Sequence, residues 1–300
     1  MTVTTAEPLV SVICLCYNHE KFVREAVLSV LTQTYTSVEI LVVNDASSDG
    51  SQQIIEKLQL EYPQIKIIHN KQNLGITASF NKAFAVSKGK YILDFATDDV
   101  LLPNALDVLV AEAIKHEAAV VYANSERISE SGAHLGYFFA VDENKRSLQK
   151  IPRGLIYEAI VNSGEIVNPV ALLVSRKIHV ELGGYNDSLA YEDLDFWLRA
   201  SREYPFFYID QTLSQKRYLE NSLGYAYKEK SVLGRRINAS TFKTLWMAFT
   251  QLNRNKTEHR ALLKRVHYEM GVVFRNRNLR LWIPYVFFKI AIHLKILISR

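Results

Sequence analysis

The sequence predicts an α/β fold with parallel strands, and three observations predict it. From residue 9 to residue 123, short β-branched apolar runs alternate steadily with segments whose apolar residues recur at helical spacing, the pattern of parallel strands joined by crossover helices. Tyr17, Asp45 and Asp98 fall just after the first, second and fourth of these runs. The carboxyl ends of parallel strands share one edge, where open α/β sheets bind ligands. Finally, the 300 residues contain no Gly-x-Gly and no Gly-Lys-Ser/Thr. A bound anion is therefore not held by a glycine-rich loop, and a metal on carboxylates is the natural substitute.

In chain order, residues 9–15 read as the first strand, broken by Tyr17-Asn18-His19. Phe22, Val23, Ala26, Val27, Val30 and Leu31 then mark a helix. Residues 38–43 are a second strand ending in the polar turn Asn44-Asp45-Ala46-Ser47-Ser48-Asp49-Gly50-Ser51, with a helix carrying Ile54, Ile55 and Leu58 beyond it. A strand at 65–68, the turn Asn73-Leu74-Gly75 and a helix at 76–86 follow. Next come a strand at 90–96 and the adjacent carboxylates Asp98 and Asp99. A helix is expected over 103–116, with Pro103 in its first turn, then a strand at 118–123. The pattern weakens over 124–163, where 137–150 reads as a mobile loop. It resumes with a strand at 170–174, a bend at Gly183-Gly184-Tyr185 and a helix face carried by Leu194, Trp197 and Leu198.

Composition bounds the alternatives. Apolar residues make up 48% of the chain, ordinary for a globular protein with a sizeable core. Cys14 and Cys16, two apart in a strand, are too close for an ordinary disulfide and read as buried thiols in a reducing compartment. No signal peptide precedes residue 9, and no run of about 18 uncharged apolar residues marks a membrane span. Charge is unevenly distributed: residues 224–300 carry 16 Lys and Arg against three acids, a net +13, whereas residues 1–223 carry a net −8. Residues 224–300 lack strand signals and read as helices at 225–252, 258–274 and 281–298. The last is apolar around most of its circumference, with basic residues alongside, which suits an anionic membrane surface. Packing on the main domain or on a second copy of the chain is the plainer reading. No nucleic-acid-binding module is recognisable.

The carboxylates admit two readings each. A pair such as Asp98-Asp99 can hold a hard divalent cation, and the cation a diphosphate; alternatively Asp98 is a solvated loop residue and Asp99 a helix cap. Asp193, at the start of a helix beside Glu192, is either a cap stabilised by the helix dipole or a general base at the rim of the cleft.

Residues 9–223 resemble family 2 glycosyltransferases, the large group with the GT-A fold. The likeness is carried, in order, by residues 10–13 through Tyr17-Asn18, Gln33-Thr34-Tyr35, the run from Val42 to Ser51, Asn73-Leu74-Gly75 with Asn81, Thr97-Asp98-Asp99, Gly183-Gly184-Tyr185, and Glu192-Asp193-x-Asp195-x-Trp197-x-x-Arg199. It implies a GT-A fold, a Rossmann-like and mostly parallel sheet flanked by helices. The GT-A domain would cover 1–223, with nucleotide binding over 9–123 and the acceptor side over 124–223, followed by the basic helical region 224–300. It implies an inverting transfer from a nucleoside-diphosphate sugar, with a UDP-sugar favoured, to a glycan or lipid-linked hydroxyl. Tyr17 would pack on the base and Asp45 accept from it. Asp98 would lie at the ribose and diphosphate, Asp99 would ligate Mg²⁺ or Mn²⁺, and Asp193 would be the general base. The first Asp of the usual metal triplet is missing, as is the His that many relatives carry near residues 216–221. The absence of Gln-x-x-Arg-Trp points away from processive synthesis. These features lead to the expectation of a metal-dependent, non-processive hexosyl- or N-acetylhexosaminyltransferase of cell-surface polysaccharide synthesis, cytoplasmic and peripheral on the inner face of the membrane. The competing expectation is a non-catalytic nucleotide-sugar-binding scaffold.

Overall fold

The computed structural model describes residues 7–220 and 222–298. The alternating first part forms β1 (Val10–Cys16), α1 (Val23–Leu31), β2 (Val38–Asn44), α2 (Ser51–Glu61), β3 (Ile65–His69), α3 (Ile76–Val86) and β4 (Tyr91–Ala96). There follow β5 (Val100–Leu101), α4 (Ala105–Ala113), β6 (Val120–Ile128), β7 (His134–Tyr137), α5 (Tyr157–Asn162), β8 (Leu172–Ser175), α6 (Arg176–Leu182), α7 (Asp193–Glu203) and β9 (Phe206–Arg217). The chain closes with α8 (Leu223–Ala226), α9 (Val232–Met247), α10 (Lys256–Arg275) and α11 (Leu279–Ile298).

One sheet runs in the order β3-β2-β1-β4-β8-β6-β9-β5, with β7 paired to β6. Pairing is parallel among β3, β2, β1 and β4, as the alternation predicts. Beyond β4 the sheet is mixed. The crossover through α4 leaves a one-strand gap between β4 and β6, and β8 fills it antiparallel to both neighbours. β6 therefore still points the same way as β4, and β9 pairs parallel to β6. The carboxyl ends of β1, β2, β4, β6 and β9 thus emerge on one edge. The arrival of β9 there, nearly 120 residues after β4, brings Lys216 and Arg217 to the edge that carries Tyr17, Asp45 and Asp98.

The expected helix after Asp99 starts later than its sequence implied. Val100–Leu101 first pairs antiparallel with Ser214–Gln215 of β9, and the N-cap of α4 is Asn104. Asp99 is therefore not a helix cap. Residues 137–150 are tied down as well: Val141 bridges Ser147, and the Ser147 amide donates to Asp210 Oδ1 at 2.9 Å.

Both faces of the central strands are buried, so successive residues feed opposite cores. Val12, Cys14, Val42 and Phe95 pack with α1, α2 and α4, and both thiols are free and buried there. Ile13, Leu41 and Ile92 pack on the other side with Phe80 of α3 and Phe196 of α7. Leu262 and Val266 of α10 and Tyr285, Phe288 and Ile292 of α11 belong to this second core. Each large apolar side chain so buried stabilises the docked arrangement by about 1.5–3 kcal/mol, so the C-terminal helices are built onto this face of the domain.

Candidate active site

On the donor side, Tyr17 follows β1 and its ring is 47% exposed. Asn18 adopts a left-handed conformation, φ 58°, which Asn tolerates better than most residues. Its Oδ1 accepts from the Ser48 amide at 2.8 Å and its own amide donates to Ser47 Oγ at 3.0 Å. The turn that presents Tyr17 is thereby fixed to the loop after β2. Asp45, 5% exposed, accepts three hydrogen bonds: from Asn70 Nδ2 and the Leu74 amide on Oδ1, both at 2.8 Å, and from the Gly75 amide on Oδ2 at 2.9 Å. Gly75 has φ 83°, the left-handed region that favours glycine. The Asn73-Leu74-Gly75 turn is thus folded around the Asp45 carboxylate. A carboxylate offers about four acceptor directions, so one remains for a ligand.

The loop after β4 carries Asp98, half-buried, and Asp99, 6% exposed. Arg217 builds this loop. Its amide donates to Asp99 Oδ1 at 2.8 Å, its Nε to the Asp98 carbonyl at 2.9 Å and its Nη2 to Glu25 at 2.7 Å. Its guanidinium also lies over the Phe22 ring, 4.8 Å from the centroid. Thr97, buried, accepts or donates at His19 Nδ1 at 2.9 Å, joining the ends of β1 and β4. Burial first, and the neighbouring Asp98 second, push the Asp99 carboxyl well above the usual range, against the pull of Lys216 and Arg217. That is the condition of a site short of positive charge.

A divalent cation fits this donor set. Hard carboxylate oxygens suit Mg²⁺ and Mn²⁺. The described residues contain no group of three His, Cys, Asp or Glu placed to hold a metal, so the two carboxylates would be the protein's share, the remainder coming from substrate phosphates and water, the usual division for Mg²⁺.

The acceptor side is organised by α7. Gly183 and Gly184 both have positive φ, 72° and 76°, and the bend they make is clamped twice. Arg199 donates to the Leu182 carbonyl (2.8 Å), the Gly184 carbonyl (3.0 Å) and Asp195 Oδ2 (2.9 Å). Asn81 of α3 holds both backbone groups of Tyr185, at 2.8 and 3.0 Å. Asp195 and Arg199 are therefore braces. Asp193 is the first residue of α7, its Oδ1 accepting from the Leu194 amide at 2.6 Å. Burial raises its carboxyl, while the Leu194 amide, Lys216 and Arg265 pull it down. Glu192 beside it is raised well above its usual range by burial, then by Asp193 and Asp94, and its Oε2 has no hydrogen-bond partner.

Four residues of this arrangement escape sequence reasoning. Asp94 sits inside the apolar run of β4 and reads there as an interruption. It shares a face with Ala96, is hydrogen-bonded by Tyr185, and is pushed up to about 7, chiefly by burial, with Asp193 adding to the shift. Lys216 precedes the residue whose amide holds Asp99, and strand alternation turns its side chain away from that of Arg217. Its charge acts on Asp99, Glu192 and Asp193 together, so it bears on both halves of the cleft. Arg265, from α10, pairs with Glu269 at 2.7 Å and adds a second cation on the Asp193 side. The sequence signal for Lys216 and Arg217 is their place at the start of 216–221, the stretch where the family resemblance leads one to expect a His.

Residues 11–163 match the profile of Glycosyl transferase family 2. The chain belongs to that family. An "Uncharacterized glycosyltransferase" of Rickettsia felis is 31% identical over 220 residues, 70% of this chain; the match spans 34% of the relative, so the chain covers about a third of its length. Among solved structures, the GT-A fold is shared with S. aureus TarS 1–349 in complex with UDP-GlcNAc, at 17% identity and TM-score 0.64, over 85% of this chain and 71% of that one. It is shared too with the mannosyltransferase PcManGT of Pyrobaculum calidifontis in complex with GDP-Man and Mn²⁺, at 15% identity and TM-score 0.61, over 98% and 88%.

Proposed function

We propose that this family 2 member is a metal-dependent, inverting, non-processive glycosyltransferase. It moves a hexosyl or N-acetylhexosaminyl group from a nucleoside-diphosphate sugar, preferably a UDP-sugar, to a hydroxyl of a glycan or lipid-linked acceptor in cell-surface polysaccharide synthesis. What supports the reading is the shared strand-end edge that carries Tyr17, Asp45, Asp98 and Asp99, together with the charge of Lys216, which acts on both Asp99 and Asp193. The nucleotide sugars named for the two fold neighbours support the donor class, and the two buried free thiols fit work in a reducing, cytoplasmic compartment.

In this reading Tyr17 packs on the base while Asp45 accepts from a base N–H with the acceptor direction its three backbone and side-chain donors leave open. Asp99 would hold the divalent cation, with Asp98 at the ribose and diphosphate; when bound, the cation supplies Lewis-acid neutralisation of the departing diphosphate. Lys216 offers its ammonium to the same phosphate oxygens, on the strand where many relatives have a His nearby. Asp193 takes the proton of the attacking acceptor hydroxyl, and a single displacement directed by one base inverts the anomeric carbon. Such proton removal contributes about 10²–10⁴ in rate. Arg265 and Lys216 pull the Asp193 carboxyl down against the burial that raises it, while Asp94 and Glu192 beside it are raised.

The test is thermal stabilisation by UDP, GDP, dTDP and CDP, each with and without Mn²⁺, since a ligand raises stability by mass action. The expected result is a metal-dependent rise, largest with UDP, that Asp99→Asn removes. No rise with any of the four would overturn the reading.

A further inference from the structure

Outward-facing residues of α11 form a continuous apolar stripe. Leu279, Ile283, Phe287, Ile290, Leu294 and Leu297 are all exposed. At about 100° per residue they fall within an arc of about 80° along the whole helix. The opposite side carries Tyr285, Phe288 and Ile292, fully buried in the domain core. Beside the stripe runs an apolar groove of about 440 Å³ lined by Phe242, Trp246, Pro284, Phe287, Phe288 and Ala291. It exists because Pro284 and Ala291, one above the other on α11, are small where the neighbouring positions carry rings.

The exposed charges of residues 224–298 are almost all positive. Lys243, Arg275, Arg277, Arg280 and Lys295 are exposed and form no ion pair among the described residues. Of the three acids in 224–298, Glu258 and Glu269 are buried and paired with Arg202 and Arg265, which leaves Glu229 alone at the surface.

We propose that the exposed stripe of α11 is a docking surface for an anionic lipid bilayer, and that the groove beside it takes an acyl chain. An apolar helical face flanked by unpaired cations is the arrangement that lies in a membrane interface, where each Lys or Arg near an anionic surface strengthens binding about fivefold. A second copy of the chain fits this face less well, because self-contact would bring the unpaired cations together. The helix is long and apolar enough to cross a membrane, 20 residues with a mean hydropathy of 1.7; Lys289 and Lys295 interrupt the uncharged run that sequence inspection looks for. Crossing would strip Tyr285, Phe288 and Ile292 from the core, so α11 lies along the surface. The inference goes beyond the transferase reading and rests on α9 to α11 alone.

The experiment is co-sedimentation of the full chain with phosphatidylcholine vesicles, with and without about a third phosphatidylglycerol. Its companions are Phe287→Glu/Leu294→Glu, whose sites are exposed, and Arg275→Gln/Arg277→Gln/Arg280→Gln. The wild type should bind the anionic vesicles at least about tenfold more tightly than the neutral ones. The glutamate variant should lose at least about tenfold with an unchanged circular dichroism melt, and the glutamine variant should lose most of the preference for anionic lipid. Brominated acyl chains should quench a component of the tryptophan emission that Trp246→Phe removes. Equal binding by the wild type and the glutamate variant, or no binding by either, would overturn the proposal. So would a dimer that the glutamate variant dissolves while vesicle binding is absent; that result assigns the face to a second copy. Nucleotide stabilisation by Mn²⁺ and UDP, read on the same samples, reports separately on the transferase reading.

Discussion

Asp45, after β2, and Asp193, the first residue of α7, are both carboxylates of the candidate site, but their surroundings differ in kind. Asp45 is met by three N–H donors from Asn70, Leu74 and Gly75, so its half of the cleft is finished before any ligand arrives. Around Asp193 the carboxylates outnumber what neutralises them. Asp94 is pushed up to about 7, Glu192 and Asp193 are raised by burial, and Glu192 Oε2 has no partner. Asp99, at the end of the cleft proposed to hold a metal, shares this condition. A nucleotide pocket of fixed shape gains from preorganisation, whereas a site that must move a proton needs carboxyls held near their titration range. In the proposed reading the two halves divide those tasks, and the charge of Lys216 acts on Asp99 in one and on Asp193 in the other.

The comparison breaks most easily at Asp99. Asp99→Asn keeps an acceptor for the Arg217 amide and removes the charge; metal-dependent nucleotide affinity should fall about a hundredfold or more, read by calorimetric titration with Mn²⁺ and UDP. Arg217→Ala comes next. Its guanidinium is 5% exposed by residue and donates to Asp98, Ser129, Glu130 and Glu25. Losing those charged hydrogen bonds should cost about 2–3 kcal/mol of unfolding free energy in urea.

Asp94→Asn sharpens the claim that the acceptor half is short of positive charge. The folded-state value of Asp94, about 7, lies above its unfolded value near 4. The folded protein therefore binds this proton more tightly. Its contribution is full below about pH 4 and is lost as pH rises through about 7. The variant should gain stability at about pH 8 and show little change at about pH 4. A gain of about 1–2 kcal/mol corresponds to roughly 2–4 °C in melting temperature. The smallest effect is expected at Tyr17, whose ring does not support the fold. Tyr17→Ala should weaken nucleotide binding by about 1 kcal/mol and leave the melt of the free protein unchanged.

Elements with a simple local signal were legible in the sequence. Strands β1 to β4 and helix α3 announce themselves through β-branched runs and helical spacing, and their shared edge follows from parallel pairing. The placement of Tyr17, Asp45, Asp98 and Asp99 on that edge followed from the same logic. The insertion of β8 between β4 and β6 was not legible, because nothing local tells a strand which gap it will fill. Arg217 was hidden for a related reason: its partners Glu25 and Asp98 lie 192 and 119 residues away. Asp94 reads as a flaw in a strand until Tyr185 and Asp193 are brought beside it, and Arg265 reads as one more base in a basic helix until α10 docks near Asp193.

The account turns on Asp193 as the base across the cleft from the diphosphate. The most direct measurement pairs two readouts on Asp193→Asn and the wild type: UDP affinity with Mn²⁺ by calorimetry, and release of nucleoside diphosphate from a UDP-sugar with a glycan or lipid-linked acceptor present. The account predicts unchanged UDP affinity and turnover lowered by about 10²–10⁴. Equal turnover by the two proteins would contradict it.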